Sequence, residues 1–158
     1  MNKKKIFTRV LVIYIAFVFI QSLFFKFTGS PETDHIFGIL DLWAEDTFGI
    51  VGLFLPPGMF NAYVIGSAEL VASILLLAGM VSSQKILVPL GALMAMGIIS
   101  GAIIFHLFTP LGIEVLGDGG TLFYMACGIW ISALILLIMH KKLLLGLCCG
   151  CCKSSRQK

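Results

Sequence analysis

The chain has 158 residues, of which 59% are hydrophobic and only 12% are charged, and its mean hydropathy is +1.04. A soluble domain has about 45–50% apolar residues, so the composition excludes a water-soluble globular protein and indicates a single-domain integral membrane protein. The formal net charge of +3 does not indicate a nucleic-acid-binding protein, because the basic residues lie beside the ends of apolar stretches, where charge sets membrane topology.

The amino-terminal segment, residues 1–9, is basic, and an apolar stretch of about residues 10–27 follows it. A basic start before an apolar run is also typical of a cleaved signal peptide. This run is longer than the apolar region of such a peptide, and no Ala-x-Ala-like cleavage site follows it. We therefore expect a retained first membrane span, with the amino terminus in the cytoplasm.

The connection from residue 28 to residue 60 contains the pattern of a further helix. Ser30 followed by Pro31 is typical of a helix start. Beyond it, two sets of residues recur at helical spacing on different faces, the acids Asp34, Asp41 and Glu45 and the apolar residues Ile36, Leu40 and Trp43. The pattern predicts an amphipathic helix that lies in the membrane interface. The alternative is a helix that caps the bundle by ordinary apolar packing.

Three more membrane spans are predicted, at about residues 61–80, 86–108 and 121–139. The Pro-Pro-Gly sequence at 56–58 must interrupt any helix before span two, and Asp118 is available to cap the start of span four. Span three contains Gly97 and Gly101, a Gly-x-x-x-Gly pair that allows close helix approach. We expect these two glycines to pack helices within the bundle, with assembly of a homo-oligomer as their second use.

The charges of the connecting segments agree on one topology. Segments 1–9, 81–85 and 140–158 contain ten of the eleven Lys and Arg residues and no acid, whereas 28–60 and 109–120 contain seven of the eight acids and no Lys or Arg. An excess of basic residues marks the cytoplasmic side. The sequence therefore predicts an all-α membrane protein, a four-transmembrane-helix bundle with an interfacial helix between spans one and two and with both termini in the cytoplasm.

Three ionisable residues fall within the outer third of the predicted spans, namely Lys26, Glu69 and His106. At a rise of about 1.5 Å per residue, Glu69 lies about 12 Å below the outer surface. A carboxylate inside a span costs about 2.5–3.5 kcal/mol on insertion scales, so Glu69 needs a partner. The long side chain of Lys26 can reach it, with His106 as third member or alternative partner. Four nearby polar side chains are candidates for supporting hydrogen bonds: Gln21, Ser22, Tyr63 and Ser67.

This polar cluster has three interpretations. It is a structural ion pair that fixes helix orientation, a pocket for the polar head of a quinone or a lipid, or a proton-transfer site. No catalytic motif accompanies it, because the Gly-Asp-Gly-Gly sequence at 117–120 lacks the Lys-Ser/Thr of a phosphate loop. The sequence alone leaves the cofactor unknown.

The predicted carboxy-terminal tail, residues 140–158, is basic and contains Cys148, Cys149, Cys151 and Cys152. We expect it to be disordered with reduced thiols, because it lies on the cytoplasmic side. Thiolate binding of a soft metal and acylation of juxtamembrane cysteines are the alternatives. A structural zinc site normally uses two separated pairs of ligands, whereas these four cysteines fall within five residues.

The order and spacing of four short motifs resemble the DoxX-like family of small four-span membrane proteins. The motifs are Phe-Phe-Lys-Phe-Thr-Gly at 24–29, Glu69 followed by Leu-Leu-Leu-Ala-Gly at 75–79, His-Leu-Phe at 106–108 and Gly-Asp-Gly-Gly at 117–120. The resemblance covers about residues 6–139, and the cysteine-containing tail is not part of it.

This resemblance implies a bacterial cytoplasmic membrane protein that serves as an accessory subunit of a quinone-linked or oxidative-stress redox system, with a membrane or peripheral redox protein as partner. Related four-span proteins act as assembly factors, so a non-catalytic assembly factor or chaperone is the alternative. We expect an accessory subunit rather than an enzyme on its own. The functions within the family differ, and the fold does not decide among them.

Overall fold

The computed structural model describes residues 3–82 and 84–154, with side chains as far as residue 144. The described residues form five α-helices and no strand: α1 (Lys3–Thr28), α2 (Pro31–Phe48), α3 (Ala62–Val81), α4 (Leu87–Phe108) and α5 (Thr121–Ser154). Four of these helices, all except α2, are long and apolar enough to cross a membrane, with hydropathies of 2.1 to 2.4. The all-α class is confirmed, and each predicted span falls on one of these four long apolar helices.

The four long helices form a ring in which α1 packs against α3 and α5, and α4 packs against the same two helices. Its core is built from fully buried side chains of all four helices, among them Val12, Ile15, Phe19, Leu76, Ala92, Ile129 and Leu136. The outside of the ring is also apolar, and Phe17, Phe24 and Ile131 are each more than half exposed. Helices that are apolar on their buried and exposed faces belong in a bilayer. The chain is a multi-pass helical membrane protein.

Close contact between α3 and α4 depends on two glycines, Gly91 and Gly79, to which the sequence analysis assigns no packing role. A Cβ atom at Gly91 would lie 2.8 Å from Leu76 Cγ and 3.0 Å from the Leu76 backbone nitrogen. A Cβ atom at Gly79 would lie 2.7 Å from the Val88 nitrogen. These helices approach closely because both positions lack a side chain.

Gly97 and Gly101 do not have the predicted role in packing the bundle. A Cβ atom at either position would meet nothing within 4 Å among the described residues. The pair lies on the side of α4 that also carries the exposed Leu93 and Ile104. Their second predicted use, assembly of a homo-oligomer through this face, stays a prediction.

A second, smaller hydrophobic core covers one end of the bundle. Helix α2 begins as predicted, with Ser30 as its N-cap accepting a hydrogen bond from the Thr33 N–H and Pro31 in its first turn. Its apolar residues pack against the loops that precede α3 and α5, in a cluster of Phe37, Leu40, Ala44, Phe54, Leu111 and Val115. Helix α2 and these loops form a cap, and the proposed location of α2 in the membrane interface stays a prediction.

Asp41 lies inside this cap rather than on an exposed polar face. Its side chain is only 7% exposed, and its carboxylate accepts hydrogen bonds from the Phe54 N–H at 2.8 Å and the Gly52 N–H at 3.2 Å. Asp41 shares its helical spacing with Asp34 and Glu45. It is buried because the loop after α2 folds back and uses its carboxylate as a hydrogen-bond acceptor.

Helix α5 extends well beyond the predicted end of span four. Its backbone is helical from Thr121 to Ser154, where the sequence analysis predicts a disordered tail after residue 139. The side chains of the four tail cysteines, Cys148, Cys149, Cys151 and Cys152, lie outside the described residues. At the other end of α5, Asp118 accepts a hydrogen bond from the Leu122 N–H at 2.9 Å, so its predicted capping role is confirmed.

Candidate functional site

The last turn of α1 and the second turn of α3 meet at a buried ion pair between Lys26 and Glu69. Lys26 Nζ lies 3.0 Å from both carboxylate oxygens of Glu69, and the two side chains are 14% and 6% exposed. One turn earlier in α1, the Ser22 hydroxyl accepts a hydrogen bond from the same ammonium group. The predicted pairing of Lys26 with Glu69 is present, together with the predicted support from Ser22.

Local sequence explains why α1 and α3 approach closely here. Gly66 lies one turn before Glu69, and a Cβ atom at this position would lie only 3.2 Å from the Phe27 ring. The Phe27 ring also stacks on the Tyr63 ring, with centroids 6.1 Å apart and planes at 11°. The small residue and the stacked pair bring the two helices together at the height of the ion pair.

Two buried polar residues that the sequence analysis did not select belong to α3, one at its start and one in its middle. Asn61 is buried and caps the helix, accepting hydrogen bonds from the Tyr63 and Val64 N–H groups at 2.9 and 3.0 Å. Its amide donates to the Gly58 carbonyl at 2.7 Å. Asn followed by an apolar run after Pro-Pro-Gly is the sequence signal that predicts this cap. Ser73 is also buried and donates to the Glu69 backbone carbonyl at 2.8 Å.

A small pocket of about 110 Å³ opens beside the ion pair, between the end of α1, the cap and the start of α3. Lys26 borders it, as do the polar side chains of Thr33 and Asp34. The remaining walls are mainly apolar and aromatic and include Phe37, Phe54, Ala62 and Tyr63. We call this cavity the outer pocket. It combines one cation with aromatic walls at the end of the bundle that α2 covers.

His106 lies at the end of α4 but has partners other than the ion pair. Its Nδ1 atom is 2.6 Å from the Gly112 carbonyl oxygen. Its ring packs edge-on against the Phe123 ring, with the two ring centroids 5.7 Å apart. Among the described residues, it forms no hydrogen bond with Lys26 or Glu69. The predicted three-residue cluster is therefore divided, with Lys26 and Glu69 paired and His106 fixing the loop between α4 and α5.

The other candidate polar residues do not hydrogen bond to the ion pair in the part of the chain that the structure describes. Ser67 donates to the Tyr63 carbonyl of its own helix at 2.7 Å. Tyr63 lines the outer pocket with its ring, and Gln21 is exposed on the outside of α1. Within this set of four, only Ser22 supports Lys26 directly.

Asp118, in the loop after α4, has a carboxyl group whose pKa is shifted by its surroundings. Burial on its own would raise the pKa of its carboxyl group. Hydrogen bonds from the backbone N–H groups of Leu122, Val115 and Gly120, with the nearby His106, outweigh this and lower the pKa below its ordinary value. Asp118 is thus held as a carboxylate that joins the loop to the first turn of α5.

Among residues 3–82 and 84–144, no group of three His, Cys, Asp or Glu side chains is arranged to hold a metal ion. The four tail cysteines proposed as weak metal candidates are not among these side chains. Cys127, within α5, is a half-buried free thiol.

No model of a known protein family matches this chain, and neither a curated protein nor a solved structure matches it. The resemblance to the DoxX-like family therefore depends on its four motifs alone, and the outer pocket with the ion pair beside it is the main structural indication of function.

Proposed function

We propose that this protein is a DoxX-like accessory subunit of a membrane redox system and that the outer pocket binds the polar head of a small ligand, with a quinone as the first candidate. In this proposal it resides in a bacterial cytoplasmic membrane with both termini inside and α2 in the outer interface. The observation that carries the binding function is the Lys26 ammonium group, which is partly buried, with a side chain only 14% exposed, and borders the outer pocket. The redox system is implied by the family resemblance.

The chemistry of Lys26 suits a ligand that carries a carbonyl oxygen. An ammonium group has three N–H donors. In the structure the ammonium group hydrogen bonds to Ser22 and to both Glu69 oxygens, each of which lies 3.0 Å away. A ligand carbonyl oxygen in the pocket would be a further acceptor, with one N–H then shared between the two Glu69 oxygens. Glu69 in this role keeps the ammonium charged and oriented without contacting the ligand.

The size of the outer pocket favours entry of a head group only. Its volume of about 110 Å³ is well below the roughly 300–1,000 Å³ of pockets that enclose a whole ligand. A molecule with a small polar ring and a long apolar tail fits this arrangement, because the tail can lie among lipid chains. The rings of Phe37, Phe54 and Tyr63 provide flat apolar walls for such a head.

The direct test is native mass spectrometry of the protein extracted gently from its membrane, followed by difference spectra with an added short-chain quinone. We expect a co-purifying quinone and a saturable spectral signal. Ala62→Leu fills the pocket without changing the ion pair, and it should abolish both the co-purification of quinone and the spectral signal. The control Val64→Leu, on the exposed side of the same helix, should keep the co-purifying quinone and the spectral signal. Absence of binding in the wild type, or binding that Ala62→Leu leaves unchanged, would contradict the proposal.

The open face around Gly97 and Gly101 favours the second candidate function, a non-catalytic assembly factor that holds a partner helix. This function predicts a stoichiometric membrane partner that co-purifies with Ala62→Leu and is lost when Gly97 and Gly101 are both changed to Leu. Loss of quinone binding without loss of such a partner separates the two functions.

A further inference from the structure

We propose that a basic groove at the end of the bundle opposite the cap binds the phosphate head group of an anionic phospholipid. The groove has a volume of about 470 Å³ and lies between Lys4 of α1 and residues 138–143 of α5. The two segments are far apart in sequence and are brought together by the packing of α1 against α5. This site is separate from the outer pocket and does not depend on the function proposed for it.

The charges of the groove select an anion. Lys4, His140, Lys141 and Lys142 all line it. No Asp or Glu occurs in residues 1–9 or 138–158, so the side chains of both contributing segments carry net positive charge. Clustered lysines beside a membrane span attract anionic lipid head groups.

The rest of the lining favours a lipid over free phosphate or a soluble phosphate ester. Ile138, Met139 and Leu143 share the groove with the cations. Ile138 is 57% exposed and Leu143 37% exposed. Because these residues continue the apolar face of the span, they can contact the first carbons of acyl chains while the lysines contact the phosphate. Free phosphate has no group that uses this apolar wall.

The volume of the groove fits the same ligand. At about 470 Å³ it lies within the roughly 300–1,000 Å³ range of small-molecule sites. The space accommodates a glycerol phosphate head with the start of its chains.

The experiment is a native mass spectrometry titration of the full-length protein with phosphatidylglycerol and phosphatidylcholine of identical acyl chains. We expect phosphatidylglycerol to bind with at least tenfold preference. Lys4→Gln should weaken its binding roughly fivefold, and Lys141→Gln combined with Lys142→Gln should weaken it more. Lys85→Gln is the charge-matched control, because Lys85 is exposed in the link between α3 and α4 and does not line the groove.

Four further results decide the proposal. Lys4→Arg keeps the charge and should restore binding, which shows that Lys4→Gln did not act through misfolding. Equal binding of the two lipids, or equal weakening by Lys85→Gln and Lys4→Gln, would overturn the proposal. Displacement of the lipid by millimolar inorganic phosphate would identify a free-phosphate site and overturn the assignment to a lipid.

Discussion

Glu69 is the residue at which the cost of burying a charge is most directly balanced by a neighbour. A lone carboxylate within a span is expensive, and removal of one partner from a buried ion pair typically costs about 3–5 kcal/mol because the other charge stays unpaired. The Lys26 ammonium group, 3.0 Å from both oxygens, removes most of this penalty in the folded bundle. The pair therefore favours one rotation of α1 against α3.

The charge of residue 69 should determine how well its variants fold. Glu69→Gln keeps an acceptor for Lys26, whereas Glu69→Lys places two cations in one site of low dielectric constant. We expect Glu69→Lys to lose about 3–5 kcal/mol of stability, clearly more than Glu69→Gln. Thermal unfolding in detergent measures both. Exchange of the pair, Lys26→Glu with Glu69→Lys, should recover part of the loss, and equal losses in the two single variants would argue against the pairing.

Asp118 should make the loop between α4 and α5 sensitive to acid. The pKa of its carboxyl group is lowered in the folded protein by backbone hydrogen bonds that outweigh its desolvation. A lowered pKa contributes stability that is fully present above the ordinary value of about 3.9 and is lost as the pH falls through the folded value. The loss should be about 1 kcal/mol, as for a helix cap.

The control for this acid sensitivity is Asp118→Asn, which cannot titrate. Unfolding measured between pH 6 and pH 3 should show a smaller decrease in stability for Asp118→Asn than for the wild type, although the variant starts from lower stability at pH 6. Identical pH profiles would show that the carboxylate of Asp118 does not carry the effect.

At the scale of helices, the contact between α3 and α4 depends on the absence of side chains at particular positions. Gly91→Ala would place a Cβ atom 3.0 Å from the Leu76 backbone nitrogen and 3.1 Å from the Ala72 carbonyl oxygen, neither of which is free to rotate away. We expect it to cost about 1–3 kcal/mol, as for overpacked cores.

The matched controls are Gly97→Ala and Gly101→Ala in the same helix. Neither added methyl group meets an atom within 4 Å, so both variants should unfold at or slightly above the wild-type temperature. Comparison of the melting temperatures in detergent checks this. A loss of stability at Gly97 equal to that at Gly91 would mean that the open face of α4 is already packed against another molecule.

The helices were predictable because their signals are local. The predicted spans at 61–80 and 86–108 lie close to Ala62–Val81 and Leu87–Phe108, since apolar length and the residues at the helix ends carry this information. The start of α2 at Pro31 follows from the same kind of signal.

The arrangement of side chains was only partly predictable, because sequence gives the height of a residue in a span but not the rotation of its helix. Lys26 and Glu69 were correctly paired from height and charge. His106 has a comparable predicted height, yet its ring faces the Gly112 carbonyl. Helix α4 is apolar all round, so nothing in its pattern sets its rotation. The partners of Asp41 were not predictable for a related reason, since they belong to a loop whose path is set by tertiary packing.

At the scale of the whole molecule, the charges are separated along the bundle. The cap and the loops that pack into it contain seven acids and no Lys or Arg, whereas the start of α1, the link between α3 and α4 and the segment after residue 139 contain ten Lys or Arg residues and no acid. One end of the molecule therefore repels anions and the opposite end attracts them. In a bilayer, the basic end is expected to face the cytoplasm.

This separation predicts which end a reagent outside the cell can reach. Glu114 is exposed in the acidic loop and Lys85 is exposed in the basic link, so each accepts a labelling cysteine without disturbing the core. In a background in which all five native cysteines are replaced by alanine, a membrane-impermeant maleimide should label Glu114→Cys on intact cells. It should label Lys85→Cys only after permeabilisation. One predicted span, α4, separates the two sites, so they are expected on opposite sides of the membrane. Labelling of both from outside would show that α4 does not cross the membrane. The reverse labelling pattern would show that the molecule has the opposite orientation, with the outer pocket on the cytoplasmic side.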